Sequence, residues 1–463
     1  MNKNIVGVVG MGYVGIPMAV LFADNIKYSK VYGFQRNSKS SGYKINMLNN
    51  GENPLVGNEP ELGDLIKSVV KRKKFECTSD FSKLSECDDI TISIQTPFLN
   101  NTDLIPDLSA LQEGLVTVGK YMSKEKKVLV VLESTITPGT TVGYAKDILE
   151  RESGMIAGKD FLLAHAPERV MVGHLVENIR NHDRIVGGIN FESTMAAAIL
   201  YSPILKKGVI IPMSATAAEV TKTAENTFRD LQIAASNQLA LYCEAIGVNF
   251  YDVKHGIDSL KGEGITRAML YPGAGVGGHC LTKDTYHLER GAHNYRIDYP
   301  MHTPSLYVVA RTINDFMPTH MFNLTIDAIR RVDITNPKII VLGWSFLPDT
   351  SDARNSPSES YASQLIKNGI DYQIHDPYTD GMNTDFTKTI ADSDILTIFT
   401  AHSQYKKLFE DPFKIKNSMN RDHPIIIDGR NMIDPDDFIK CGFIYKGIGR
   451  GDKNNHSICG FNH

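Results

Sequence analysis

The stretch "PGAGVGGHCLTKD", residues 272–284, sets a single thiol, Cys280, behind a run of glycines and small residues, with Lys283 and Asp284 just beyond it. Such a cysteine has three readings: a small hydrophobe buried in a turn, half of a disulfide, or a nucleophile that a substrate must approach closely. The six cysteines, at 77, 87, 243, 280, 441 and 459, include no Cys-x-x-Cys pair. Zinc and dithiol redox motifs therefore have little support, and no metal is expected. Further along the same chemistry, Lys222 and Asn226 stand four residues apart and so share one face of a helix. An ammonium beside an amide can stabilise an alkoxide or polarise a carbonyl, or the pair can simply lie on a solvated helix face. Glu168, in "HAPERV", falls just past the end of a strand, where a carboxylate can serve as an acid or base or serve nothing.

A cofactor signal stands at the start of the chain. Gly10-Met11-Gly12-Tyr13-Val14-Gly15 follows an apolar strand and opens an apolar helix, the context in which G-x-G-x-x-G is informative. The first glycine permits the tight turn, the second lets a pyrophosphate approach the backbone, and the third lets helix and strand pack closely. The ribose-reading position about 20 residues on falls in "GFQRNSKSS", where Gln35 replaces the usual acid. Arg36, with nearby hydroxyls and Lys39, suits a 2′-phosphate or forms a solvated basic turn, so the cofactor is read as NAD with NADP possible.

The elements that must position these residues form two α/β regions around a helical middle. "DDITISIQTP", "KKVLVVLESTITPGTT", "DFLLAHAPE" and "DRIVGGI" are apolar runs of strand length with helical stretches between them, the pattern of a parallel sheet with crossovers. From about Ser214 helical periodicity runs for some 33 residues, close to 50 Å. Thr216 with Glu219 reads as a capping box and Gly247 as the stop. Strand-like runs return at "PKIIVLGWSF", "DYQIHDP", "DILTIFTA" and "PIIIDGRNM". The tail beyond about Gly449 reads as polar, glycine-rich and partly disordered. The expected fold is α/β: two Rossmann-like domains, 1–212 and 336–463, joined by a helical central domain, 213–335, with a long helix. Such a helix is expected to bury apolar surface against a partner subunit, giving at least a homodimer, or to be covered within one chain.

Composition narrows the function classes. Hydrophobic content of 42% and charged content of 22% over 463 residues are those of a soluble globular protein. A net charge of −4 argues against a nucleic-acid partner. No apolar run reaches the roughly 18 residues of a membrane span, and the N-terminus enters a strand directly, so a cytoplasmic protein is expected.

Taken together, "GMGYVGIP", "QTP", "ESTITPGTT", "APERVMVG", "AENTFRD", "GVGGHCLTKD" and "PDTSDARNSP" resemble the UDP-glucose/GDP-mannose dehydrogenase family, in that family's order and over nearly the whole chain. The histidine before Cys280 and the form "APERV" resemble the branch acting on UDP-N-acetylhexosamines, which makes uronic acids for polysaccharides and glycoproteins. The resemblance implies oxidation of the sugar C6 alcohol to a carboxylate with two NAD and no metal. It implies Cys280 as the nucleophile, Lys222 and Asn226 at the C6 oxyanion, Asp284 in proton transfer or water positioning, and Glu168 as acid/base in thioester hydrolysis. Lys283, Arg354, Thr96 and Thr135 match positions that contact the dinucleotide. Glu168, Arg169, Val170, Lys222, Asn226, Tyr271, Gly275 and Gly277 match positions around the sugar nucleotide, and the C-terminal domain would hold the UDP. Leu347 replaces a usual substrate-binding lysine, Thr282 a usual proline, and Gln35 the ribose-binding acid. The rival readings are a UDP-glucose 6-dehydrogenase, a two-electron hydroxyacid dehydrogenase, which has no use for Cys280 or a third domain, and a catalytically dead dinucleotide-binding scaffold, in which the site residues would be broken.

Overall fold

The computed structural model describes residues 4–57, 59–99, 105–260, 269–278, 280–294 and 305–454. His279 and the tail beyond residue 454 lie outside them. The chain divides into two compact units, residues 1–225 with 283–298, and residues 226–282 with 299–463.

The first unit is built on an eight-stranded sheet: β1 (Asn4–Val9), β2 (Tyr28–Phe34), β3 (Phe75–Thr78), β4 (Asp89–Ile92), β5 (Leu129–Leu132), β6 (Leu162–His165), β7 (Arg184–Gly188) and β8 (Ile210–Ser214). The strands run in the order β3-β2-β1-β4-β5-β6-β7-β8. The first six reproduce the dinucleotide-binding order 3-2-1-4-5-6. All pairs are parallel except β6 with β7, which is antiparallel. β5 shows why these strands read as continuous apolar runs. Its four residues are all buried, Leu129 and Val131 in one core and Val130 and Leu132 in the other, because helices cover both faces of the sheet.

The second unit carries β9 (Ile339–Leu342), β10 (Tyr372–His375), β11 (Ile395–Ile398), β12 (Ile425–Asp428) and β13 (Ile444–Gly447), parallel throughout, in the order β10-β9-β11-β12-β13. This is the 2-1-3-4-5 arrangement of doubly wound sheets. Ile339 and Val341 face a core shared with Met317 and Met321 of the Leu306–Val332 helix, while Ile340 and Leu342 face a second core.

The long helix spans Ala215–Ala245 and stops before Gly247, as its sequence predicts; the division between the two units falls within it. Its start differs from expectation. The Ser214 hydroxyl accepts the Ala217 N–H, and Glu219 makes no capping box. Instead the buried Glu219 carboxylate reaches sideways and accepts the Gly139 and Thr141 N–H groups at 2.6 and 2.7 Å, anchoring the loop after β5. β3, β8 and β13 have no counterpart in the sequence reading, and residues 451–454, expected in a disordered tail, form a short helix. Among the described residues no helix is long and apolar enough to cross a membrane.

Candidate active site

In the first unit the glycine turn lies where β1 hands over to the Gly15–Asp24 helix. Gly10 has φ +103°, a conformation that glycine adopts without strain. A side chain at Gly15 would overlap the Gly10 carbonyl oxygen, whereas the space where one would stand at Gly12 is open. That opening, beside a helix N-terminus, is a cradle of the kind a pyrophosphate requires, so the residues present fit a dinucleotide. Met11 is buried, Tyr13 donates to the Val56 carbonyl, and Val14 precedes the helix.

Gln35 has work within the protein: its Oε1 accepts the Met11 N–H at 3.1 Å and its amide donates to Ser41 at 2.9 Å. Arg36 is ion-paired with Glu113 at 2.5 Å, both side chains about two-thirds exposed. A 2′-phosphate at this guanidinium would also meet the Glu113 carboxylate. On the far side of β1, Thr96 is buried and donates to the Thr135 carbonyl at 2.5 Å, tying the ends of β4 and β5 together.

Beyond β6, Glu168 is anchored at both oxygens. Oε1 accepts the Arg169 N–H at 2.8 Å, and Oε2 forms an ion pair with Arg184, whose side chain is 4% exposed. Arg169 itself reaches Glu225 and the Asp183 carbonyl, and Val170 packs against the adjoining core. Lys222 is buried rather than on a solvated face. Nearby, His165 is fully buried. That burial, with the positive charges of Arg184 and Lys222 and against a Leu132 backbone hydrogen bond, pushes its pKa down to about 3 and keeps the ring neutral. Neither Glu133 nor Arg184 was singled out from the sequence. The only signal that could have found them is a charged residue at each edge of an otherwise apolar strand run.

Lys283 and Asp284 occupy the first turn of the Leu281–Asn294 helix, buried and 3.2 Å apart. One turn on, the ring of His287 lies 3.3 Å from the Thr137 hydroxyl, in the loop that Glu219 anchors.

In the second unit Cys280 is an exposed thiol directly before that helix, bonded to no other described cysteine, which removes the buried-hydrophobe reading. The glycines ahead of it are explained by protein packing. A Cβ at Gly277 would stand 2.5 Å from the Phe346 Cβ and 3.0 Å from the Asn355 carbonyl oxygen, and one at Gly275 would press on Pro318 and Pro357. At these two glycines the missing side chains let the cysteine loop lie against residues 318, 346 and 355–357. Gly278 donates to the Arg354 carbonyl at 2.9 Å, and the Asn355 amide donates to the Gly278 carbonyl and the Thr282 hydroxyl. The Arg354 side chain makes a bidentate pair with Asp352. Asn226 is half-buried, and Tyr271 is exposed with Lys254 4.4 Å over its ring. Gly277→Ala should cost about 1–3 kcal/mol by overpacking, read as a lowered urea midpoint; an unchanged midpoint would contradict the packing role.

Three family models match in succession: the UDP-glucose/GDP-mannose dehydrogenase family NAD binding domain over residues 4–205, its central domain over 216–315, and its UDP binding domain over 340–435. A solved structure of NDP-N-acetyl-D-galactosaminuronic acid dehydrogenase from Methanosarcina mazei Go1 is 60% identical, covers 98% of this chain and 97% of its own, and superposes with a TM-score of 0.88. UDP-N-acetyl-D-mannosamine dehydrogenase from Pyrococcus horikoshii is 36% identical over 96% of this chain and 99% of its own length. Protein CapL from Staphylococcus aureus is 30% identical over 94% of this chain and 98% of its own length. The chain belongs to the UDP-glucose/GDP-mannose dehydrogenase family and is an NAD-dependent nucleotide-sugar dehydrogenase.

Proposed function

We propose that this protein oxidises C6 of a UDP-N-acetylhexosamine from the alcohol to the carboxylate in two oxidation steps linked by a covalent adduct on Cys280. The observation that carries the reading is the free, exposed thiol held on a packed loop at a helix N-terminus, with buried Lys283 and Asp284 in the turn that follows.

NAD, when bound, accepts the hydride that leaves C6 in each oxidation. Lys222 and Asn226 stabilise the C6 oxygen as it loses its proton and gains negative charge. The Cys280 thiolate adds to the aldehyde carbon, forming a C–S bond and a thiohemiacetal. Loss of the second hydride from that carbon leaves a thioester. Glu168 accepts a proton from the water that attacks it, Asp284 positions that water, and the C–S bond breaks to release the carboxylate and regenerate the thiolate.

Among the sugars, the 60% identical protein named for N-acetylgalactosaminuronic acid favours the galacto substrate. The N-acetylmannosamine-named relatives, at 36% identity and below, support the manno epimer as the second reading. The Arg36–Glu113 pair favours NAD over NADP. Lys283, Arg354, Thr96 and Thr135 are assigned to the dinucleotide, and Arg169, Val170 and Tyr271 to the sugar nucleotide; the parts 1–212, 213–335 and 336–463 serve cofactor, cysteine loop and UDP. Phe228, Tyr242 and Ile246 of the long helix are exposed and share one face, which supports a homodimer. A cytoplasmic role supplying uronic acids for polysaccharide or glycoprotein synthesis completes the proposal. The test is cofactor reduction with UDP-N-acetylgalactosamine, UDP-N-acetylmannosamine, UDP-N-acetylglucosamine and UDP-glucose, each with NAD and NADP. The galacto sugar with NAD should be preferred by at least about tenfold in kcat/KM, roughly 1.4 kcal/mol; a preference for UDP-glucose would overturn the branch assignment.

A further inference from the structure

Between β5, β6 and the start of β7 lies a buried charge cluster to which the mechanism above gives no role beyond Glu168. Arg184 sits between two carboxylates, Glu133 with a side chain 0% exposed and Glu168 with one 7% exposed. The guanidinium is held on several sides. It donates to Glu133 Oε1 and to the Ala166 carbonyl, each at 2.9 Å, and lies 4.3 Å over the Tyr201 ring. Glu133 is itself fixed, accepting from the Tyr201 hydroxyl at 2.8 Å and from Ser93 on its other oxygen. A buried arginine is a costly way to achieve stability alone, since apolar residues of the same volume often do as well.

We infer that Arg184 is a positioning residue for the hydrolytic half of the reaction, fixing Glu168 as the carboxylate that takes the proton of the attacking water. The inference rests on the covalent reading of Cys280. With Oε1 on the Arg169 N–H and the buried Oε2 against Arg184, the carboxylate is held from both sides, and Oε1 keeps acceptor capacity for a water. The guanidinium, always charged, favours the anion of its neighbour, the state a base requires. The other groups facing the cluster do not replace it. His165 is neutral, Glu133 and Tyr201 carry no positive charge, Arg169 is turned to Glu225 and Asp183, and Lys222 is assigned to the C6 oxygen. His182 reaches the Arg169 carbonyl at 3.4 Å, not the carboxylate.

The test uses the full-length enzyme as Glu133→Gln with Arg184→Gln, as Arg184→Lys, and as Glu133→Gln alone. The double variant removes the guanidinium yet keeps the net charge of the cluster. Turnover is followed against pH, and the Cys280-bound sugar is measured by intact mass after acid quench. In the double variant kcat at neutral pH should fall about 10²-fold or more, the covalent adduct should accumulate, and the acid limb of the profile should move to higher pH. Arg184→Lys should return the limb towards wild type while still slowing adduct release, and Glu133→Gln alone should not move the limb upward. A fall in kcat with no accumulated adduct, or an acid limb that stays in place, would overturn the assignment. If the double variant fails to bind NAD or to melt cooperatively, Arg184→Lys decides: adduct release at the wild-type rate would overturn it. Absence of adduct from every variant, with normal turnover by Cys280→Ser, would instead sink the covalent reading, and this assignment with it.

Discussion

Cys280→Ser should lower four-electron turnover by about 10³-fold or more, with reduced cofactor released at steady state as the readout. The thiol is exposed and free in the structure, so the substitution removes neither core volume nor a bridge. On the proposed mechanism it removes the group that converts the aldehyde into a better hydride donor. A serine hydroxyl is a much weaker nucleophile than a cysteine sulfur, and an oxygen ester resists water more than a thioester does. Nucleotide-sugar binding should survive, so KM should move little. Wild-type turnover by the serine variant would end the covalent account.

Lys222→Met should lower kcat by about 10²–10³-fold, or roughly 2.7–4 kcal/mol, the size expected for one preorganised donor to a developing oxyanion. Lys222 is buried, and methionine retains most of its stem, so packing loss is small beside the electrostatic one. The loss should fall on kcat with KM nearly unchanged, because the ammonium matters most when the oxygen carries charge. A raised KM with unaltered kcat would make Lys222 a binding residue only.

The parts of the fold legible in the sequence are those in which a local pattern carries the information. The turn at Gly10 to Gly15, the strands β4 to β7 and β9 to β12, and the length and end of the long helix all follow from apolar runs and punctuation. The two edge strands of the first sheet, β3 and β8, gave no such signal, since both are only partly buried and neither is a continuous apolar run. Periodicity says nothing of direction, so the antiparallel entry of β7 was hidden. Cys280 stood out as a candidate because few other reasons exist for a cysteine after so many glycines, but what those glycines pack against could not be read from the sequence. Their neighbours, Phe346, Pro318 and Pro357, are at least 40 residues distant in the chain. Glu219 looked like a cap because its spacing from Thr216 is local, whereas its partners at 139 and 141 are not. The pairing of Glu133, Arg184 and Glu168 is likewise a product of sheet order and strand direction, which bring the start of β7 beside the ends of β5 and β6.

The measurement that tests the central claim most directly is the stoichiometry of cofactor reduction in a reaction limited by sugar nucleotide, with the product analysed by mass. The account predicts two reduced cofactors for each sugar consumed and a uronic acid as the product. One reduced cofactor for each sugar, with free aldehyde in solution, would contradict it.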